Sequence, residues 1–254
     1  MNAQLGIRDA QANSTKIPFH CAICVGFDLN ICAAAAGAEA RAPCSKSLKV
    51  RQSANTAPAR RIIWRGQDLH DIVPVICSGW AAAIVMLSNG SRQIVSFLLP
   101  GDVISTTLLF DSRPYCLVEA ITEVSYRAFD RAELKSMLYR EPELLDKFSK
   151  AWVDEKARAD QLIVDLGRRT ADERIARLIL NLIDRLEKRR MVQDDPIEFD
   201  FPLRQHHIAD ATGLTPVHVS KVLTEFRRNG LINISERSLT ILDLPGFRRV
   251  AHMR

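Results

Sequence analysis

The sequence predicts an α+β chain built in three successive parts: a β-sandwich or barrel, a long helix, and a carboxy-terminal helix-turn-helix backed by a β-hairpin. Three observations predict it. Short β-branched runs separated by turn chemistry fill residues 61 to 129. From Glu141 onward apolar residues recur every three or four positions. Near the carboxy terminus, Gly213 lies between two brief helical patterns, with capping residues ahead of the second.

Length and composition leave room for this reading. The 254 residues allow one large or two modest domains, and 47% hydrophobic with 26% charged residues is ordinary folded material, not collagen-like or low-complexity chain. The longest apolar runs, such as Ile31 to Ala36, fall far short of the roughly 18 to 20 residues that span a bilayer. Met1 to Asn13 carries Arg8 and Asp9 and leads into no apolar core, so no secretion signal and no membrane association are expected, and the cytoplasm is the expected location. The net charge of +5 suits a polyanionic partner, and its distribution says more than its sum. Eight basic side chains fall between Arg168 and Arg190 against four acids, and eight more follow Asp200 together with four of the six histidines.

Four of the six cysteines, Cys21, Cys24, Cys32 and Cys44, lie in the first 44 residues, and Cys77 and Cys116 follow. Cytosolic disulfides are the poorer explanation. Two residues separate Cys21 from Cys24 and seven separate Cys24 from Cys32, so short spans could aim three thiolates at one metal centre. The plainer alternative is that small thiols are scattered along an Ala-rich tail. Ala33 to Arg60 is rich in Ala, Ser, Arg and Pro with no apolar stripe, and reads as a linker; residues 1–55 therefore form a cysteine-bearing amino-terminal segment.

Residues 56–140 are the expected β-domain. Its runs are Arg61 to Trp64, Ile72 to Ile76, Ala83 to Leu87, Gln93 to Leu98, Cys116 to Val118 and Val124 to Phe129. Arg65 to Asp68, Ser78-Gly79, Ser88 to Ser91 and Pro100-Gly101-Asp102 supply turns between them. Asn89-Gly90 is hairpin chemistry, with positive φ wanted at both central positions.

The long helix is expected over 141–169. Leu145, Phe148, Trp152, Glu155, Ala159, Leu162 and Leu166 alternate steps of three and four, a seam over three heptads that predicts homodimerisation. Packing of the seam on the chain's own β-domain is the alternative. Glu155 is odd in such a seam, although one polar residue can fix register, and Gly167 would end or interrupt the helix.

Residues 170–254 make the last domain. Thr170-Ala171-Asp172-Glu173 reads as a capping box, followed by Ile175, Leu178, Ile179, Leu182, Ile183 and Leu186 on one face. A short strand, Phe199 to Leu203, leads to helical segments Gln205 to Ala211 and Pro216 to Asn229. Gly213 turns the chain, Thr215 caps the second segment, and Pro216 takes its first position. Ile208, small Ala209, Leu214, Val219, Val222 and Leu223 fit the buried positions, and Gly230 to Ile234 with Ser238 to Leu242 predict a β-hairpin wing. Val217, His218, Ser220, Lys221 and Thr224 would face outward where a second helix meets base edges in a major groove. Arg227, Arg228 and Arg237 are better placed for phosphate. A solvated helix face would also be polar, but turn, caps, small core residue and basic flanks occur together.

Over residues 56 to 245 the chain resembles the Crp/Fnr superfamily of bacterial transcription regulators. The strings that carry the resemblance are Ile208-Ala209-Asp210-Ala211-Thr212-Gly213-Leu214-Thr215, Val217-His218-Val219-Ser220-Lys221-Val222-Leu223 and Arg227-Arg228-Asn229-Gly230-Leu231-Ile232, with Thr170 to Arg174 and Leu99-Pro100-Gly101-Asp102. The resemblance implies a jelly-roll sensor domain, a dimerisation helix and a winged helix-turn-helix that binds double-stranded DNA at a palindromic operator. It implies RNA polymerase as a partner if the protein activates. Cys21, Cys24 and Cys32 resemble the oxygen-sensing Fnr branch, where three clustered cysteines and a distant one hold a [4Fe-4S] cluster. Cys116 is the expected fourth ligand, with Cys77 and Cys44 as alternatives, although the family's register places that ligand near Arg127. Ser105-Thr106-Thr107 stands where the nucleotide-binding branch has its acid, and Pro114 follows Arg113, so no cyclic nucleotide is expected. Val217 and Lys221 replace a glutamate and an arginine of the Fnr recognition helix, which implies a different operator preference. Alternatives are a regulator without a cluster that answers another small ligand or acts constitutively, and, remotely, a metalloenzyme built on the cysteines. No HExxH, GxSxG or Walker-type loop supports an enzyme.

Overall fold

The computed structural model describes residues 52–65, 71–110, 116–189, 191–194 and 196–252. Two antiparallel sheets form the first half. In chain order the strands are β1 (Gln52–Ala57), β2 (Ile62–Trp64), β3 (Ile72–Ser78), β4 (Ala81–Met86), β5 (Arg92–Leu98), β6 (Leu117–Ala120) and β7 (Val124–Asp130). One sheet runs β1-β7-β3 and the other β2-β6-β4-β5. Val73, Val75, Ala81, Ala83, Val118, Val124 and Phe129 fill the space between them.

Strand β1 corrects the linker reading of Ala33 to Arg60. It pairs with β7 from Gln52 opposite Phe129 to Ala57 opposite Val124, at the sheet edge. An edge strand is held by main-chain hydrogen bonds on one side and needs no apolar stripe, so periodicity does not reveal it. The β4–β5 turn also departs from expectation. Gly90 has φ +84° and Asn89 is not in the left-handed region. Leu87 bonds both Gly90 and Ser91, so the loop is longer than a two-residue turn and closes with Gly90 in a bulge position. At Gly79, φ is +81° and a Cβ would stand 2.0 Å from the Glu123 carbonyl oxygen, so only glycine makes the tight step from β3 to β4.

Strand β4 lacks alternation because both of its faces are covered. Ala81 and Ala83 face the sandwich interior, while Ala82 and Ile84, with Ile94 and Phe97 of β5, join the core of the carboxy-terminal domain.

Helix α1 (Arg131–Arg140), capped by Asp130 through the Glu133 amide at 2.9 Å, precedes the long helix α2 (Pro142–Arg168), which continues through Gly167. The single seam expected on α2 splits between two faces. Phe148 is buried in the sandwich core, Glu155 Oε2 accepts from Thr106 Oγ1 at 2.8 Å, and Leu162 and Leu166 are half-buried against the rest of the chain. Leu145, Trp152 and Ala159 are exposed, beside Ile163, which is 70% exposed. A row repeating every seven residues drifts by about 20° per heptad on a straight helix. Three heptads carry it from the solvent side at Leu145 to the protein side at Leu166.

Helix α3 (Ala171–Glu187) opens with a capping box: the Thr170 amide donates to Glu173 Oε2 at 2.7 Å and the Glu173 amide to Thr170 Oγ1 at 3.4 Å. Then come β8 (Gln193–Asp194), β9 (Ile197–Asp200), α4 (Gln205–Thr212), α5 (Pro216–Arg228), β10 (Ile232–Ser235), β11 (Ser238–Ile241) and α6 (Leu244–Val250). A third sheet runs β10-β11-β9-β8, with α3, α4, α5 and α6 around one core.

Candidate nucleic-acid interface

Helix α4 ends at Gly213, whose φ of +65° lets the chain reverse without Cβ strain. The Leu214 amide returns to the Ala209 carbonyl at 3.1 Å, and Thr212 Oγ1 donates to the Ile208 carbonyl at 2.7 Å. Thr215 Oγ1 accepts from the His218 amide at 3.2 Å and Pro216 occupies the first turn of α5. At the start of α4 the Arg204 amide donates to His207 Nδ1 at 3.1 Å. Burial first, then neighbouring His206, brings His207 down to about 4, so the ring is neutral at pH 7 and free to accept.

Val219, Val222, Leu223 and Phe226 pin one side of α5 in the core, and Phe226 packs edge-on against Phe247 of α6 at 5.4 Å. The other side is open. Val217, His218, Lys221, Thr224, Arg227 and Arg228 are exposed, and Ser220 is half-buried with its carbonyl accepting from Thr224 Oγ1 at 2.8 Å. Val217, Ser220, Lys221, Thr224 and Arg228 line one shallow hollow of about 520 Å³. Gln205, Pro216 and Glu225 complete its wall. Gln205 carries no sequence signal for this wall, because it opens α4 and reaches α5 only through the reversal at Gly213. Glu225 stands 3.7 Å from Arg228 in an exposed pair that solvent weakens.

Antiparallel β10 and β11 form the wing, pairing Ser235 with Ser238 around a two-residue tip. Glu236 and Arg237 have φ of +47° and +79°, and Arg237 is exposed. The Arg237 carbonyl accepts from the Phe201 amide at 2.5 Å, which ties the tip to the body of the domain.

The metal-ligand expectation divides. Cys21, Cys24 and Cys32, like Cys44, lie outside the described residues. Cys116 is 9% exposed in the sandwich core; burial chiefly, then the Glu155 carboxylate, pushes its thiol up and favours the neutral form. Cys77 is half-buried on β3, and neither thiol is in a disulfide. Among the described residues no group of three or more His, Cys, Asp or Glu is placed to hold a metal ion.

Ser105 and Thr106 are buried polar residues: Ser105 Oγ lies 2.8 Å from Thr107 Oγ1, and Thr106 holds Glu155 of α2. Arg113 and Pro114 lie outside the described residues.

Much of the basic cluster between Arg168 and Arg190 is engaged inside the chain. Asp102 receives Arg185 at 2.5 Å and Arg189 at 2.6 Å, and Arg189 Nε also reaches the Pro100 carbonyl at 2.8 Å. Arg177 and Arg169 meet Asp165 at 2.8 and 3.2 Å, and Lys188 meets Asp184 at 2.9 Å. Arg92 of β5 pairs with Asp210 of α4 at 3.6 Å, and Gln93 donates to the Ala211 carbonyl at 3.3 Å. These contacts and the shared apolar core dock the winged domain on the β4–β5 face. Counting charges along the sequence does not show the docking, because Asp102 lies more than eighty residues from Arg185 and Arg189 and Asp210 lies farther still from Arg92.

Comparisons with known proteins follow the same division. Residues 55–141 match the cyclic nucleotide-binding domain and residues 173–250 the Crp-like helix-turn-helix domain. The nitrogen fixation regulation protein FixK of Rhizobium meliloti is 32% identical over 203 residues, which is 80% of this chain and 88% of that protein. The protein of that name from Bradyrhizobium diazoefficiens is 33% identical over 158 residues, covering 62% of this chain and 65% of that protein. The structure of FixK2 from Bradyrhizobium japonicum superposes with a TM-score of 0.69 at 24% identity, over 79% of this chain and 97% of that one.

Proposed function

Because the chain belongs to the Crp/Fnr family of DNA-binding transcription regulators, we propose that it acts in the cytoplasm as a homodimer on a palindromic operator, reading bases with α5 and gripping phosphate with its flanks. One observation carries this reading. The apolar half of α5 is locked in the core while Val217, His218, Lys221, Thr224 and Arg228 stand open on the opposite half. Lys221 donates to guanine or phosphate, and His218 and Ser220 donate or accept. Arg227, Arg228 and the wing-tip Arg237 are set for backbone. Val217 is 67% exposed and offers apolar contact to a thymine methyl.

The dimer is proposed to close along α2, on a row shifted from the expected seam. Trp152, 52% exposed with its ring centroid 6.1 Å from that of Phe110, and Ile163 lie on the open flank of α2, and Leu145, Val153 and Val164 are further exposed apolar residues of the same helix. A helix of 27 residues offers this row a length of about 40 Å. Trp152→Asp should shift sedimentation from dimer toward monomer and weaken operator binding together, since two linked half-sites hold better than one. Selection from random duplex DNA should enrich two-fold symmetric sites with half-site centres about one helical turn, or a multiple of it, apart. Recovery of no preferred duplex would overturn the reading.

An oxygen or redox signal is the second part of the proposal, supported by the Cys21, Cys24 and Cys32 spacing. Among the described residues no set of three or more ligands gathers at Cys116 or Cys77, and Cys116 is a buried thiol whose proton a metal would have to displace. Operator binding through α5 needs no cluster. Iron and acid-labile sulfide measured on protein prepared without oxygen test this part. A cluster lost in Cys24→Ala and kept in Cys116→Ser is the expected result. Loss in Cys116→Ser would make Cys116 the fourth ligand, and iron-free wild-type protein that still binds DNA would remove the cluster.

A further inference from the structure

Between α2, α3, β5 and the end of α4 lies a cavity of about 400 Å³, within the roughly 300 to 1,000 Å³ of small-molecule sites. Phe97, Leu162, Leu166 and Leu178 give it an apolar wall, and Arg158, Arg174, Arg177 and Arg185 give it a basic one. Arg174 is committed to the Arg169 and Thr212 carbonyls at 2.9 and 3.2 Å, and Arg177 to Asp165 at 2.8 Å. Of the three acids at the cavity, Asp165 is engaged by Arg177 and Asp184 by Lys188, and Glu187 stands at its α3 end.

Arg158 and Arg185 are different. Among the described residues Arg158 makes no hydrogen bond or ion pair. Arg185 is 6% exposed and gives one terminal nitrogen to Asp102 and the Phe97 carbonyl, but its Nε N–H is buried without an acceptor. That donor is sealed inside the packing, so Arg185 offers the cavity its charge and Arg158 offers its unengaged guanidinium. Charge points the same way, because Arg158, Arg185 and Arg189 all act on the single carboxylate of Asp102. Burial is the largest cause, opposed by Asp102 and reinforced by smaller repulsions from Arg158 and Arg189, and together they bring Arg185 down to about 10.

We propose that this cavity binds a small organic anion, its carboxylate or phosphate held by Arg158 beside the charge of Arg185, its apolar body against Leu162, Leu166 and Leu178. The site is independent of the cysteines and of the α5 surface. It joins α2, α3 and β5, so an occupant bridges the long helix, the winged domain and the sandwich.

The test is calorimetric titration of the full chain, in buffer free of phosphate and sulfate, with phenyl phosphate, phenylacetate and the neutral benzyl alcohol. One saturable site per chain is expected for at least one of the two anions, with no binding of benzyl alcohol at the same concentration; which anion binds tells a phosphate ligand from a carboxylate one. Arg158→Gln, which loses no hydrogen bond or ion pair among the described residues, should weaken that binding roughly tenfold or more, while Lys221→Ala leaves it unchanged. Silence from both anions or equal binding to Arg158→Gln would overturn the proposal. So would loss in Lys221→Ala, which would place the anion on the α5 surface.

Discussion

Arg185 and Arg228 belong to the same domain and do opposite work. Arg185 is 6% exposed and turned inward onto Asp102, fastening the winged domain to the sandwich, whereas the side chain of Arg228 is 75% exposed and meets only a weak pair with Glu225. Both count equally toward a basic sequence, yet only the second is available to a polyanion. Exposed cations stand on α5 and the wing tip, whereas many of those between Arg168 and Arg190 are spent on architecture.

Removing the shared carboxylate breaks the inward half of this comparison most severely. Asp102→Ala leaves Arg185 and Arg189 buried and unpaired, a loss of about 3 to 5 kcal/mol by the usual cost of breaking a buried pair, read as a fall in the urea midpoint. Burial alone would raise the Asp102 carboxyl, but Arg185, Arg189 and the Leu99 amide outweigh it and hold it below 3.8. Its contribution is therefore present above the unfolded value and is lost as pH falls through the lower folded value. Asp102→Asn should flatten that part of the acid limb, and an unchanged slope below about pH 4 would separate Asp102 from acid stability.

The outward half is sharpened by smaller effects. Lys221→Ala should cost about 1 to 3 kcal/mol of specific affinity with little change on random duplex, measured by anisotropy on both. Thr215→Ala removes the cap of α5 and should lower stability by about 1 kcal/mol in the same urea series. Arg228→Ala should weaken every duplex evenly and reduce the salt slope by about 1, with the least effect on sequence preference. A base-specific loss at Arg228 would exchange its role with that of Lys221.

The parts legible in the sequence are those written locally. Thr170 and Glu173 form their capping box, and Gly213, Thr215 and Pro216 shape the helix-turn-helix within a few residues. What escaped depends on distance or on a missing side-chain signal. Strand β1 is edge backbone, so no apolar stripe announces it. Glu155 looked anomalous as a residue in a partner-facing seam and is ordinary once Thr106 stands opposite it. Asp102 reads as turn chemistry until α3 brings two guanidiniums to it. The same separation hides the Arg158 and Arg185 cavity, whose walls come from five elements.

The wing tip shows when a binding surface meets its conformational cost. Glu236 and Arg237 hold left-handed backbone that favours glycine, at on the order of 1 kcal/mol each. That strain is incurred once, during folding, with the tip tied back through Phe201. The Arg237 backbone is therefore already fixed before a duplex arrives, and little main-chain entropy remains to be lost at the encounter. A glycine at position 236 would relax the turn and raise stability, while returning to the bound complex the ordering cost that the native tip has already met.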